Sequence, residues 1–222
     1  MKKIKIAFCL NLCIFLLEVL ANLWMVSGIH IFSDAAVLSA SKLAMLRYFT
    51  VDSNILMGIV ALVSACYYKK MLSNNSTSVP KSLYVWQLLG TVSVTLTLLV
   101  TVFFLVPTAN YPWTQLFADS NFLLHLVNPL LSIVAFVCYE KVVDAPFKTT
   151  FIGIVPMLLY AVYYVGAAVT HTTNGVIDFG YDWYGFFFAG LKSGFIVVPI
   201  IIVFTYLISL VLWKLNKSFI KE

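Results

Sequence analysis

Six long apolar runs, separated by shorter polar stretches, dominate the chain. The runs cover approximately residues 4–26, 49–68, 84–106, 121–139, 151–170 and 194–213. A helix rises about 1.5 Å per residue, so a run of about 20 apolar residues crosses the hydrocarbon core of a bilayer. The pattern predicts an all-α, polytopic membrane protein: a bundle of about six transmembrane helices in a single integral membrane domain, residues 1–222.

Composition and charge support this prediction and set an orientation. The chain is 62% hydrophobic and 10% charged, with a mean hydropathy of +0.97, which excludes an ordinary soluble domain. If the N-terminus is cytoplasmic, eleven of the fourteen basic residues fall on the cytoplasmic side and only Lys42, Arg47 and Lys192 fall outside. Positive charge concentrates on the cytoplasmic side of membrane proteins, so we expect both termini to be cytoplasmic. The basic residues form no nucleic-acid-binding surface, and we expect membrane lipids, not nucleic acid, as partners.

Polar side chains interrupt the apolar runs, and the predicted topology places most of them toward the outer side of the membrane. His125 is the most informative, because a histidine in a membrane-spanning helix must face protein or water. The other members of this predicted polar cluster are Glu18, Asn22, Ser53, Asn54, Asn121 and Asn128. They form either a pocket or water-filled vestibule, or hydrogen bonds that tie helices together. We expect the inner half to hold mainly cysteines and apolar side chains.

Pro129 lies inside the fourth run and is expected to kink that helix. Proline has no N–H group, so it removes one hydrogen bond from a helix. In a membrane, the carbonyl that loses its donor must find another one. The sequence therefore predicts that a carbonyl freed near Pro129 finds another partner.

Three short motifs resemble those of a known family. Tyr48-Phe-Thr50-x-x-Ser53-Asn54 begins the second run, Asn121-x-x-x-His125 begins the fourth, and Trp183-Tyr184-x-Phe186 lies in the last outer loop. The chain resembles the androgen-induced and androgen-dependent (ADTRP-type) membrane hydrolases and their bacterial six-span relatives. This resemblance implies a location in the bacterial cell (plasma) membrane.

The animal members are threonine hydrolases of fatty-acid esters of hydroxy fatty acids. The resemblance therefore implies Thr50 as the nucleophile and His125 as its histidine. The chain departs from the animal pattern at Phe122, Leu126 and Gly185, where that pattern has histidine, threonine and proline.

Two functional hypotheses follow from these residues. In the first, the protein is an intramembrane lipid-ester hydrolase, in which Thr50 attacks the ester carbonyl and His125 transfers the proton. Asn54, Asn121 or N–H groups at a helix start stabilise the oxyanion, and Glu18 orients His125. In the second, the protein is not an enzyme but a small carrier, a lipid-binding protein or an assembly partner, with Glu18 and His125 as a proton-coupled pair. A continuous polar path to the cytoplasmic face would favour transport. We expect neither a cofactor nor a metal ion, because no nucleotide, haem, flavin or metal-ligand spacing occurs.

Overall fold

In the described part of the chain, six helices are long and apolar enough to cross a membrane, which confirms the all-α, multi-pass prediction. The computed structural model describes residues 1–32, 42–76, 79–108, 112–140, 145–178 and 180–220. Lys141 and Lys221, which entered the charge count, lie outside these residues. The helices are α1 (Lys2–Ser27), α2 (Phe49–Ser73), α3 (Lys81–Thr108), α4 (Ser120–Tyr139), α5 (Thr149–Thr170) and α6 (Leu191–Ile220).

The helices alternate in direction, so their ends lie on two faces of the bundle. Lys2, Glu140 and Ile220 lie at the face that holds both ends of the described chain, which we call the terminal face. The other, which we call the opposite face, carries two 3₁₀ turns, Lys42–Arg47 and Trp113–Phe117, and a short hairpin of β1 (Thr172–Thr173) and β2 (Val176–Ile177).

Helix α1 shows how sequence spacing determines which side of a helix is buried. Its buried residues recur every three or four positions, as expected for one stripe of a helix. They are Ala7, Asn11, Ile14, Glu18, Ala21 and Met25. Leu16, Leu20 and Leu23 lie outside this stripe and are more than half exposed. Exposed leucines of this kind suit contact with lipid tails, which is consistent with a helix at the edge of a membrane bundle.

Two turns of π-helix interrupt the α-helical bonding, and each ends two residues before a proline. In α3 the π turn is Thr101–Leu105, followed by Pro107; in α4 it is Leu123–Val127, followed by Pro129. The α3 helix was predicted to end before Pro107, but it continues to Thr108. A π turn shifts the hydrogen bonds by one residue, and such turns often mark functional sites. Both π turns lie toward the opposite face.

Gly58 of α2 permits the closest approach of α1. A Cβ atom at Gly58 would lie 3.1 Å from the Cβ atom of Glu18. Replacing Gly58 with leucine is therefore expected to push α1 away and to lower the free energy of unfolding by about 1–3 kcal/mol. Gly166→Leu is the matched control, because nothing lies within 4 Å of a Cβ atom there. Denaturant unfolding in micelles compares the two, and equal losses would contradict the close packing.

Candidate functional site

His125 lies in the π turn of α4 and is completely buried. Its Nδ1 atom is 2.8 Å from the carbonyl oxygen of Leu116. A carbonyl can only accept a hydrogen bond, so Nδ1 carries the hydrogen and, in the neutral ring, Nε2 keeps its lone pair. Nε2 has no hydrogen-bond partner among the described residues. The ring is therefore held in the tautomer in which Nε2 can accept a proton.

Asn54 joins the start of α2 to the π turn that carries His125. The amide of Asn54 donates to the carbonyl of Thr50 at 2.7 Å and to that of Leu124 at 3.2 Å. In an α-helix the carbonyl of Leu124 would accept the N–H of Asn128, but this N–H donates to the carbonyl of Leu123 instead. The next residue is Pro129, which has no N–H. Asn54 therefore supplies the donor that the sequence predicted the backbone near Pro129 would need.

The hydrogen bonds of Asn54 also exclude one expected role. A side-chain amide has two N–H groups, and both of those in Asn54 are directed at carbonyl oxygens. Asn54 cannot donate to an oxyanion without losing one of these bonds. Asn121, the other amide considered for this role, is buried, and its Oδ1 atom has no partner within the described part of the chain.

Thr50 lines a largely apolar pocket near the opposite face, which we call the Thr50 pocket. It lies between α2, α3, α5, α6 and the last loop, and its interior measures only about 40 Å³. Leu96, Met157 and Ile201 contribute apolar walls, and the π turn of α3 contributes Thr101 and Leu105. The lining of this pocket matches the chemistry of an apolar chain with a polar group at one end.

Tyr184, from the last loop, covers the pocket beside Thr50. Its hydroxyl interacts with those of Tyr160 and Thr50 and with the backbone N–H groups of Phe49 and Thr50. Burial raises the pKa of Tyr184 to about 12, although these hydrogen bonds act in the opposite direction. Tyr184 therefore keeps its proton at neutral pH, and its hydroxyl can donate a hydrogen bond next to Thr50.

Asp182 folds the last loop over the Thr50 pocket. Its carboxylate accepts the N–H groups of Phe186 and Phe187 at 3.0 Å each and also the hydroxyl of Tyr164. Three donors on one carboxylate fix the loop, so that Tyr184 and Phe186 point into the pocket. The Trp183-Tyr184-x-Phe186 motif drew attention to this loop, but only the structure identifies Asp182 as the residue that shapes it.

The structure places Thr50 and His125 on neighbouring elements. Asn54 links the two elements, yet no hydrogen bond joins the Thr50 hydroxyl to the His125 ring in the described structure. His125 also does not line the Thr50 pocket. Of the supporting residues, Ser53 bonds to the Thr50 carbonyl and to Thr97, each at 3.0 Å.

Glu18 does not orient His125 as the hydrolase hypothesis expected. The ring nitrogen that such a carboxylate would hold is bonded to Leu116 instead. The Glu18 carboxyl interacts with the amide of Asn128, one turn further along α4. Asn22 donates to the carbonyl of Glu18 at 2.7 Å, within its own helix. His171 stacks on Tyr181, with ring centroids 3.6 Å apart, and bonds to the end of α5.

The half of the bundle toward the terminal face, which the predicted topology makes the inner half, is more polar than the sequence predicted. Asn11 donates to the Glu140 carboxylate at 2.9 Å and accepts from Gln87 at 2.8 Å, and the Tyr68 hydroxyl donates to the other Glu140 oxygen. Gln87 also donates to Ser64. The expectation that this half holds mainly cysteines and apolar side chains is therefore wrong. The cysteines of α1 and α2 are exposed on the outside of the bundle.

An apolar layer separates this group near the terminal face from the polar residues nearer the opposite face. The layer consists of Ile14, Met57, Ala61, Val94 and Ala135, and each is completely buried. On α1 it lies between Asn11 and Glu18, and a second apolar layer with Ala21 and Val51 follows toward the opposite face. The polar side chains of α1 thus form separate layers and not a continuous path to the terminal face. This arrangement counts against transport along α1.

Comparisons with protein-family models, with curated proteins and with solved structures find no match for this chain. The described residues also contain no group of three or more His, Cys, Asp or Glu side chains that could hold a metal ion. The function is therefore inferred from the geometry of the pocket, the π turn and the residues that join them.

Proposed function

We propose that this protein is an intramembrane hydrolase of lipid (fatty-acid) esters, with Thr50 as nucleophile and His125 as general base. The observation that carries the proposal is the threonine hydroxyl in an apolar pocket, joined by Asn54 to the turn whose histidine has a buried, unpartnered Nε2. The resemblance of the Thr50 and His125 motifs to ADTRP-type hydrolases supports the same pair. The distribution of basic residues supports cytoplasmic termini, which would put the pocket in the outer half of the plasma membrane.

The chemistry divides into acyl transfer and hydrolysis. Thr50 Oγ attacks the ester carbonyl carbon while its proton passes to His125 Nε2; the ester C–O bond then breaks and the proton goes to the leaving alkoxide. Water, activated by the same nitrogen, releases the acid from Thr50. In the free protein the two groups are not hydrogen-bonded, so this proton transfer requires a bridging water or closer approach when substrate binds.

Tyr184 is the residue best placed to stabilise the oxyanion. Its hydroxyl lies at the open N-terminal end of α2, where Tyr48 provides no side-chain cap. Donors at a helix N-terminus favour negative charge, and a protonated tyrosine adds another donor. Tyr184 thus takes the role that Asn54 cannot fill.

The test is hydrolysis of fatty-acid esters of hydroxy fatty acids by the purified full chain. Thr50→Ala and His125→Ala are each expected to lower kcat/KM by at least about 100-fold, since each removes a group that acts in the transition state. Thr95→Ala and His171→Ala are matched controls, because the Thr95 hydroxyl donates to the Thr91 carbonyl within α3 and His171 lies outside the site.

Several outcomes would contradict the proposal. Well-folded protein without activity on any ester tried would contradict it. Equal activity in the unchanged protein and in all four alanine variants would also contradict it. Thr50→Ser should retain measurable activity, because it keeps the hydroxyl.

A non-enzymatic lipid-binding protein is the second candidate, and the missing bond between Thr50 and His125 favours it. This candidate uses the same pocket but needs no proton transfer. It predicts that a fatty-acid ester binds and is recovered intact, and that Leu96→Trp, which fills the pocket, abolishes binding while His125→Ala does not. Equilibrium binding of a fluorescent ester analogue separates the two candidates.

A further inference from the structure

Glu18 is a buried acid without a charged partner. It is 2% exposed, and neither carboxylate oxygen has a hydrogen bond within the residues that the structure describes. Apolar layers lie on both sides of it along α1. An isolated ionised carboxylate in such surroundings is very costly, so burial of this kind calls for a bound positive charge or a proton.

Asn128 is the group that faces this carboxyl. It is completely buried, and both its amide nitrogen and its amide oxygen lack a hydrogen-bond partner among the described residues. Its amide is the only side chain in the described part of the chain that interacts electrostatically with Glu18. Two side chains in contact therefore leave four polar atoms unpartnered between them: two oxygens from Glu18, and one nitrogen and one oxygen from Asn128.

One proton accounts for all four atoms. A neutral carboxylic acid and a primary amide are complementary: the acid O–H donates to the amide oxygen, and an amide N–H donates to the acid carbonyl. A carboxylate can only accept, so it would leave the amide oxygen without a donor and place two negative oxygens beside it. We infer that Glu18 and Asn128 form a proton-binding site inside the bundle, in which the acid is held neutral and paired reciprocally with the amide.

The titratable groups on the elements around Glu18 do not neutralise its carboxyl in place of this proton. Helix α1 packs against α2, α4 and the turn Lys42–Arg47. Asp52 of α2 lines a groove beside Tyr163, and Arg47 donates to the carbonyl of Ala44. His125 on α4 is held through Leu116, and Gly58 is the α2 residue against which Glu18 packs. The proton-binding site is therefore independent of the hydrolysis proposed above.

Infrared spectroscopy tests the site directly. The experiment uses the full chain in micelles at pH 7 and a Glu140→Gln background, because Glu140 is another buried acid. The carbonyl band of a protonated carboxyl is expected in this background and should disappear on adding Glu18→Gln. Loss of a carboxylate band instead would show that Glu18 is ionised and would overturn the inference.

Stability against pH provides a second, independent measurement. Glutamine at position 18 can pair reciprocally with the Asn128 amide but carries no titratable proton. The protein that retains Glu18 and the Glu18→Gln variant should therefore melt at the same temperature at pH 4, below the pKa of an unfolded glutamate, and the protein that retains Glu18 should melt lower at pH 9. A lower melting temperature for Glu18→Gln at pH 4, or parallel curves, would overturn the inference.

A third variant keeps the test valid if Glu18→Gln does not fold. Asn128→Leu keeps the acid and removes its amide. The protonated-carboxyl band should then move to the position of an acid without a hydrogen bond, and an unchanged band would show that Asn128 is not its partner.

Discussion

Replacing Asn54 with leucine is expected to lower the free energy of unfolding by about 1–3 kcal/mol, the cost of a buried carbonyl without a donor. The carbonyl is that of Leu124. It has no helical donor, because the π turn directs the Asn128 N–H to Leu123 and Pro129 has no N–H, and it accepts a hydrogen bond from the Asn54 amide at 3.2 Å. Leucine has a similar volume, so the loss measures mainly this hydrogen bond. Denaturant unfolding in micelles is the measurement.

A double-mutant cycle with Pro129→Ala makes this prediction specific. Alanine at position 129 restores a backbone N–H, which can donate to Leu124 in the π register or allow the turn to return to α-helix. Asn54→Leu should therefore cost less than about 1 kcal/mol in the Pro129→Ala background, a coupling that independent sites would not show. Asn22→Leu is the control, because Asn22 bonds to a carbonyl of its own uninterrupted helix. Additive losses would contradict the account of the π turn.

Replacing Glu140 with leucine is expected to lower the free energy of unfolding by about 2–5 kcal/mol. The change leaves the Tyr68 hydroxyl and one Asn11 N–H buried without acceptors, and each such donor costs about 1–3 kcal/mol. In Glu140→Gln the amide oxygen can accept from Asn11 and the amide nitrogen can donate to Tyr68. Glutamine should therefore restore most of the stability at low pH, and equal losses in both variants would contradict the hydrogen-bond assignment.

The same residue makes stability depend on pH. Burial raises the pKa of Glu140 from 4.5 to about 7, while its hydrogen bonds with Tyr68 and Asn11 lower it. The folded protein thus binds the proton more tightly than the unfolded one. The free energy of unfolding is highest below about pH 4.5 and falls as the pH rises through 7, by at most about 1.4 kcal/mol per pH unit. Glu140→Gln should remove this part of the slope, which denaturant unfolding at pH 4.5 and 7 measures.

The fold was predictable because it depends on local properties of the sequence. Each apolar run is long enough to span a bilayer, and the need to satisfy every backbone group leaves a helix as its only local solution. The need for a donor near Pro129 was also predictable, since a missing N–H has consequences wherever it occurs. That Asn54, 70 residues earlier than Leu124, supplies this donor depends on how α2 and α4 pack.

The site was less predictable because burial and hydrogen bonding are properties of the assembled bundle. Glu140 follows the last residue of α4 and looks like part of a charged loop, yet it is 1% exposed and joins α1, α2 and α4. The π turns were not predicted, because they depend on which carbonyls find donors elsewhere. The pairing of Thr50 with His125 as a catalytic unit stays a prediction.

The alternation of polar and apolar layers along α1 has a consequence for how the bundle assembles. Asn11 and Glu18 each find polar groups at only one depth, and apolar layers lie directly above and below Glu18. If α1 slid by one turn, about 5.4 Å, both side chains would face methyl groups and would lose their hydrogen-bonding surroundings. Lipid-facing leucines alone would tolerate such a slide. The polar layers therefore set the vertical register of α1, as a single buried polar residue does in a coiled coil.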